Sequence, residues 1–215
     1  MKVISVNVGA PKTVMIGGKP LTTGIYKERV LEPVLVTKLN FTGDRQADLV
    51  HHGGYDKAIC AYPSEHFTKW TKRYERPFFP GSFGENLTLA GLTEKEVYIG
   101  DIFSVGTAVI QVSQPRQPCF KLAKRHGLPD LPLVVQQTGR TGFYFRVLQE
   151  GVIQQGDPLI LVERSLSRLS IDYVNHIYYM EKTNVEAMRK ILAEPALSKS
   201  WRDVFAARIS AAANS

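Results

Sequence analysis

The chain has 215 residues, 44% of them apolar, a formal net charge of +7 and two cysteines. That is room for one substantial hydrophobic core with a small second module, and no apolar run approaches the ~18 residues that span a bilayer. Two cysteines make no disulfide framework and are too few for an iron–sulfur cluster held by this chain alone, while the absence of GxGxxG after a strand and of GxxxxGK(S/T) argues against a nucleotide cofactor.

The start, MKVISVNVGAPK, passes directly into strand-like residues, so no signal peptide is expected, and a cytoplasmic location is the natural expectation. Ile4, Val6 and Val8 alternate with Val3, Ser5 and Asn7, which predicts a half-buried strand. VMIGGKPLT places a Gly-Gly pair between short apolar runs, the pattern of a hairpin. PVLVTKLNF, KAICAYP, ENLTL, TAVIQVS and GFYFRVL supply further short strands. VYIGDIFSVG and VIQQGDPLILV resemble each other, each an apolar segment, a Gly-Asp turn and an alternating strand, and predict related corners of a barrel. Between the strands, Ser64 is positioned to cap a helix through EHFTKWTKRYE, with Phe67, Trp70 and Tyr74 on one face. A second helix follows Cys119 through FKLAKRHG and stops at Gly127.

From Ser165 the pattern turns helical. Ile171, Val174, Ile177 and Tyr178 share one face; Thr183 and Glu186 have capping-box spacing; Ser200 and Asp203 repeat it more weakly. The expected organisation is a mainly β domain over 1–163, a barrel or sandwich, and a three-helix module over 164–211. The apolar helix faces must be buried on the barrel, on each other or on a second subunit, which makes a homodimer an expectation.

Three segments concentrate chemistry. In QVSQPRQPCFKLAKRHG, Cys119 follows two prolines that stiffen its approach, with Arg116 and Lys121 close by and a helix about to begin. Cations and helix N-termini favour the thiolate, which is the reactive and metal-ligating form; free cysteines are also among the most buried residue types, so a packed core thiol stays open. Cys60 reads as a strand thiol. In GDRQADLVHHGGYDKA, Arg45 and Lys57 accompany a Gly-Gly pair whose amides suit an anion. His51 and His52, as sequence neighbours in an extended segment, make poor joint metal ligands. In FPGSFGENLTL, Asn86 offers both a donor and an acceptor, and Arg140 sits in a glycine-rich turn. The positive charge suits solubility or an anionic small ligand. The cations are dispersed and no helix-turn-helix, zinc-finger or RNP motif appears, so no stable nucleic-acid partner is expected.

Taken in order, GDRQADxxHHGGxDKAxxxYP, PGSFGENLT, a Gly-Asp-turn strand and QPRxPCFKL resemble the MOSC domain, the family of molybdenum cofactor sulfurase C-terminal domains, in its YiiM-like bacterial branch. The resemblance covers nearly the whole chain, including the C-terminal helices. It implies a barrel related to the small β-barrel of pyruvate kinase and a molybdenum cofactor (Mo-molybdopterin) whose metal is ligated by Cys119. It implies reduction of N-hydroxylated compounds such as 6-N-hydroxylaminopurine. Phe83 to Leu87 match an FxxNL cofactor-contacting motif, and Arg116 falls where a basic residue precedes the ligand. Arg45, Lys57, Asn86, Arg116 and Cys119 are thus the expected cofactor-binding residues, with Cys119, His52 and Asp56 the catalytic candidates, the last two as proton relays. Electrons would come from an external flavoprotein or iron–sulfur reductase. A non-catalytic cofactor carrier and a sulfur carrier with a persulfide on Cys119 stay open as alternatives, and so do the roles of Lys121, Lys124 and Arg125.

Overall fold

The computed structural model describes residues 1–47 and 53–213. Twelve short strands precede the C-terminal helices: β1 (Lys2–Val8), β2 (Lys12–Ile16), β3 (Lys19–Thr23), β4 (Glu28–Val30), β5 (Val34–Val36), β6 (Ile59–Pro63), β7 (Leu87–Ala90), β8 (Ile102–Val105), β9 (Ala108–Pro115), β10 (Phe143–Gln149), β11 (Gly151–Ile153) and β12 (Leu159–Glu163). Eight of them form one sheet in the order β12-β8-β9-β10-β6-β7-β1-β4. Its pairs are antiparallel except β6 and β7, which run parallel. Among the described residues the sheet does not close through a regular ladder. Lys2 of β1 and Pro158, the residue before β12, form an isolated bridge, supported by the hydrogen bonds Val3 N to Asp157 O and Leu159 N to Met1 O.

The two Gly-Asp segments build equivalent corners. Gly100 and Gly156 both adopt φ 92°, a conformation open to glycine at little cost. Each following aspartate accepts a hydrogen bond from the amide three residues before it, Asp101 Oδ2 from Tyr98 N at 3.0 Å and Asp157 Oδ2 from Gln154 N at 2.8 Å. The strands they launch, β8 and β12, pair with each other. The expected hairpin forms as β2 and β3.

In β1 the expected half-burial does not hold, because Ser5 and Asn7 are buried along with Val3 and Val6. A register shift against β7 between Val3 and Ser5 and a hydrogen bond from Ser5 Oγ to Asn7 Oδ1 at 2.7 Å let a strand covered on both sides carry polar residues.

Helix α1 (Phe67–Tyr74) buries Trp70, but Ser64 opens a 3-10 turn ahead of it and makes no side-chain cap. Helix α2 (Phe120–His126) ends at Gly127 as expected. Helix α3 (Leu131–Thr138) was not expected from the sequence. Together α1 to α3 cover a satellite cluster of Tyr62, Trp70, Phe83, Leu122, Leu131 and Val135.

Helices α4 (Ile171–Tyr179), α5 (Val185–Leu192) and α6 (Lys199–Ala213) form the C-terminal module. Ser170 caps α4 and Asn184 caps α5, one residue later than the Thr183 box predicts. Ahead of α6 the hydroxyl of Ser198, not Ser200, accepts from the Trp201 amide at 3.4 Å. Ile171, Val174, Met188, Trp201 and Phe205 join the same apolar cluster as Phe103 and Phe145 of the sheet. The module's apolar faces are therefore buried on the sheet and on one another, as one continuous core.

Candidate functional site

Cys119 lies on the connection between β9 and α2, in extended backbone (φ −105°, ψ 166°) that hands directly into the helix. The prolines before it hold this geometry: Pro115 ends β9, and Pro118 fixes the entry to Cys119. The thiol is half-buried and lines an open cleft.

Arg116 is buried in the same wall. Its Nη2 donates to Phe83 O at 2.7 Å, and its amide donates to Gly142 O at 3.1 Å. Its Nη1 is buried without a hydrogen-bond partner. Burial disfavours the guanidinium charge, but Cys60, Tyr144, Cys119 and Tyr62 outweigh that and raise its pKa above the ordinary arginine value. A buried cation with an unused donor beside a cleft is a built-in demand for an acceptor.

The cleft's charge is one-sided. Lys27, Arg45, Lys57, Arg116 and Lys121 all line it, and the described lining includes no carboxylate. Lys27 is compensated from behind by Asp44, to which it is paired. Lys57 and exposed Arg45 bring positive charge from the second sequence segment, and Lys121 from the first turn of α2.

The expected contact residue Asn86 reaches the lining, but its amide is spent on the protein. Its Oδ1 accepts from Cys60 N at 3.1 Å, and its Nδ2 donates to Asp44 Oδ2 at 2.9 Å and to Asn7 O at 3.3 Å. It braces β6, β1 and the loop of Asp44. The neighbouring Glu85 is fully buried and binds Gly81 N, Phe83 N and Thr88 Oγ1 at 2.6 to 2.9 Å. Burial raises its pKa against these hydrogen bonds. Gly84, just before them, has φ 72°, and a Cβ there would come within 2.7 Å of Ile25 Cγ1; only glycine fits.

Asp56 is not at the site. Its Oδ1 is paired with Arg146 at 2.8 Å, and its Oδ2 accepts from Lys199 N at 3.0 Å. It ties β10 to the start of α6, and its carboxylate is bonded at that junction and not on the cleft lining. His52 lies outside the described residues. Arg125, whose role the sequence leaves open, clamps the carbonyls of Ile25 and Gly81, and Lys124 is exposed away from the lining. Arg140 stacks over Trp70, 5.8 Å from the ring centroid, as a structural residue.

Cys60 and Tyr144 are among the lining residues that the sequence does not announce as site residues. Cys60 is a strand thiol, as expected, but it sits in the cleft wall, where burial pushes its pKa up to about 11 against the pull of Arg116. Tyr144 is its direct cross-strand partner. Only the strand register shows this pairing, which places both side chains on one face.

The fold and this cleft define a MOSC domain: the MOSC family matches residues 48–160, and the YiiM-like 3-alpha helix domain matches residues 169–212. The chain belongs to the MOSC family, in the branch with the three-helix extension. It is similar to the crystal structure of YiiM from Geobacillus stearothermophilus, with 56% identity and a TM-score of 0.84 over 97% of this chain and 98% of that one. It is 51% identical to the protein YflK of Bacillus subtilis (strain 168), covering 94% of this chain and 92% of that protein. A protein of Gibberella moniliformis (strain M3125 / FGSC 7600) named Reductase is 36% identical over 81% of this chain, a match that spans 31% of its own length. No helix among the described residues is long and apolar enough to cross a membrane.

Proposed function

We propose that this protein is a molybdenum-cofactor-dependent oxidoreductase that reduces N-hydroxylated compounds to the corresponding amines, with Cys119 as the metal's thiolate ligand. The observation that carries the reading is the pairing of a half-buried thiol with the unpartnered Nη1 of buried Arg116 on one cationic cleft. An anionic pterin with a soft metal centre fits that donor set: thiolate suits the metal, and guanidinium and ammonium groups suit the phosphate. Arg116, Arg45, Lys57 and Lys121 would hold the anion, and Asn86 would keep the wall in shape behind it. When bound, such a cofactor supplies the two-electron chemistry that converts R–NHOH, with two protons, to R–NH2 and water. The chain's own part is to hold the ligand thiolate on a fixed turn, balance the negative charge and shape the cleft around the N–OH group. MOSC domains are associated with the molybdenum cofactor, and one relative is named a reductase; both support the reading.

Electrons come, in this proposal, from a separate flavin or iron–sulfur reductase. The chain has two cysteines and no dinucleotide fingerprint of its own, and its net positive charge favours an acidic donor. The test is turnover of 6-N-hydroxylaminopurine by cofactor-loaded protein with reduced methyl viologen. Adenine and one equivalent of water should form, with two electrons and two protons consumed per turnover. Loaded protein that leaves the substrate untouched would point to a cofactor carrier instead.

A further inference from the structure

Tyr144 is the one phenol on the described lining of the cleft, which it shares with Cys60, Arg116 and Cys119. It is mounted on β10, directly opposite Cys60 on β6, and Cys60, Arg116 and Cys119 all act on it electrostatically. Its backbone is fixed as well, because its carbonyl accepts from Ser113 Oγ at 3.1 Å. Burial is the largest of the effects that push the phenol's pKa above its ordinary value, so the hydroxyl keeps its proton. The residue directly opposite it, Cys60, offers only a sulfur, a weak acceptor that an oxygen readily replaces. The rest of the lining supplies cations and thiols; no carboxylate and no imidazole is among its described residues. The other lining hydroxyl, that of Thr23, already accepts from the Ile25 amide at 3.2 Å.

From this placement we infer that Tyr144 is the residue that recognises the oxygen of the N–OH group, donating its O–H to that oxygen and so distinguishing an N-hydroxylated substrate from its amine product. The inference rests on the proposed reductase function and adds to it a specificity-determining contact. A neutral, strand-mounted donor suits this role because it can hold a neutral hydroxylamine oxygen without drawing it onto the surrounding cations. It also favours product release, because the amine lacks the oxygen that the hydroxyl binds. The contact is a hydrogen bond and leaves Tyr144 chemically unchanged. The two protons of the overall reduction come from solvent and the two electrons from the external donor.

The experiment compares wild type with Tyr144→Phe and, as a second variant without the hydroxyl, Tyr144→Met, all produced with cofactor. Metal and pterin content and thermal midpoint are measured first and should match wild type. Calorimetric titration of the oxidised proteins, with no electron donor present, then gives Kd for 6-N-hydroxylaminopurine and for adenine. Loss of one neutral hydrogen bond should weaken the hydroxylamine about 3- to 10-fold and leave adenine unchanged. In turnover with reduced methyl viologen, kcat/KM should fall by at least the same factor. Equal Kd values for the hydroxylamine in wild type and variants would overturn the inference, and so would an equal loss for both ligands. Loaded wild type that neither binds nor reduces the hydroxylamine removes the reductase reading as well. Active wild type with indifferent variants removes only the role of Tyr144.

Discussion

The two walls of the cleft spend their polar atoms differently. On the side of residues 81–88, Glu85 and Asn86 direct both carboxylate oxygens and both ends of the amide into the protein, onto Gly81, Phe83, Thr88, Cys60, Asp44 and Asn7. On the side of residues 116–121 and Tyr144, the buried Arg116 keeps Nη1 without a partner and Cys119 stays half-exposed. Both walls are built from the most distinctive residues of the chain. One wall is a brace, satisfied and closed; the other is a face with bonding capacity left over. Where a polar atom's hydrogen bonds go therefore separates residues that shape a site from residues that act in it.

The comparison breaks first, and most visibly, at Asn86. Asn86→Ala leaves the Cys60 amide and an Asp44 oxygen buried without partners, which should cost about 3 kcal/mol of stability, read as a lower urea midpoint with m unchanged. If Asn86 were chiefly a ligand contact, the variant would lose cofactor and keep its midpoint. A smaller loss is expected at Asp56. Asp56→Ala removes the pairing with Arg146 and the acceptor for the Lys199 amide, costing about 1–2 kcal/mol, while kcat in the methyl viologen assay should be unchanged because the carboxylate faces the α6 junction. A pH profile that loses a limb in this variant would return Asp56 to the site.

The smallest effect is a pH slope at His126, whose Nε2 is 2.8 Å from Ser82 O on the braced wall. Burial lowers its pKa below the ordinary histidine value, outweighing the hydrogen bond to Ser82. The folded state therefore binds this proton less readily than the unfolded chain does. Stability from this group should be present above the unfolded value of roughly 6.5 and fall as pH drops through the lowered folded value. Urea midpoints measured across that window should rise with pH in wild type and rise less in His126→Gln. Equal slopes would show that the imidazole is not held neutral against the wall.

Much of the architecture was legible because it depends on local rules. Period-2 apolar runs marked most strands, and the Gly-Asp pairs marked equivalent corners because both need a glycine at positive φ. Helix α3 was not legible: LPLVVQQT is a short apolar run without a clear 3.6 period, which a strand would fit as well. The cap of α5 fell one residue late because Thr183 and Asn184 are adjacent and asparagine caps at least as well. At the site, the thiol and Arg116 could be picked out from the sequence pattern, and both line the cleft. Side-chain direction could not. Asp56 and Asn86 belong to distinctive segments, yet one points to α6 and the other into the wall. Tyr144 and Cys60 needed the β6–β10 register, a long-range pairing that no short stretch of sequence encodes.

The measurement that tests the account most directly is molybdenum and pterin content of wild type and Cys119→Ser, both produced in cells that synthesise the cofactor, alongside their urea midpoints. With the thiol half-exposed, the midpoints should agree within about 0.5 kcal/mol, while the serine variant loses its molybdenum. A Cys119→Ser protein that keeps full metal content, or a wild type that carries neither metal nor pterin when the cofactor is abundant, would contradict the assignment of this cleft.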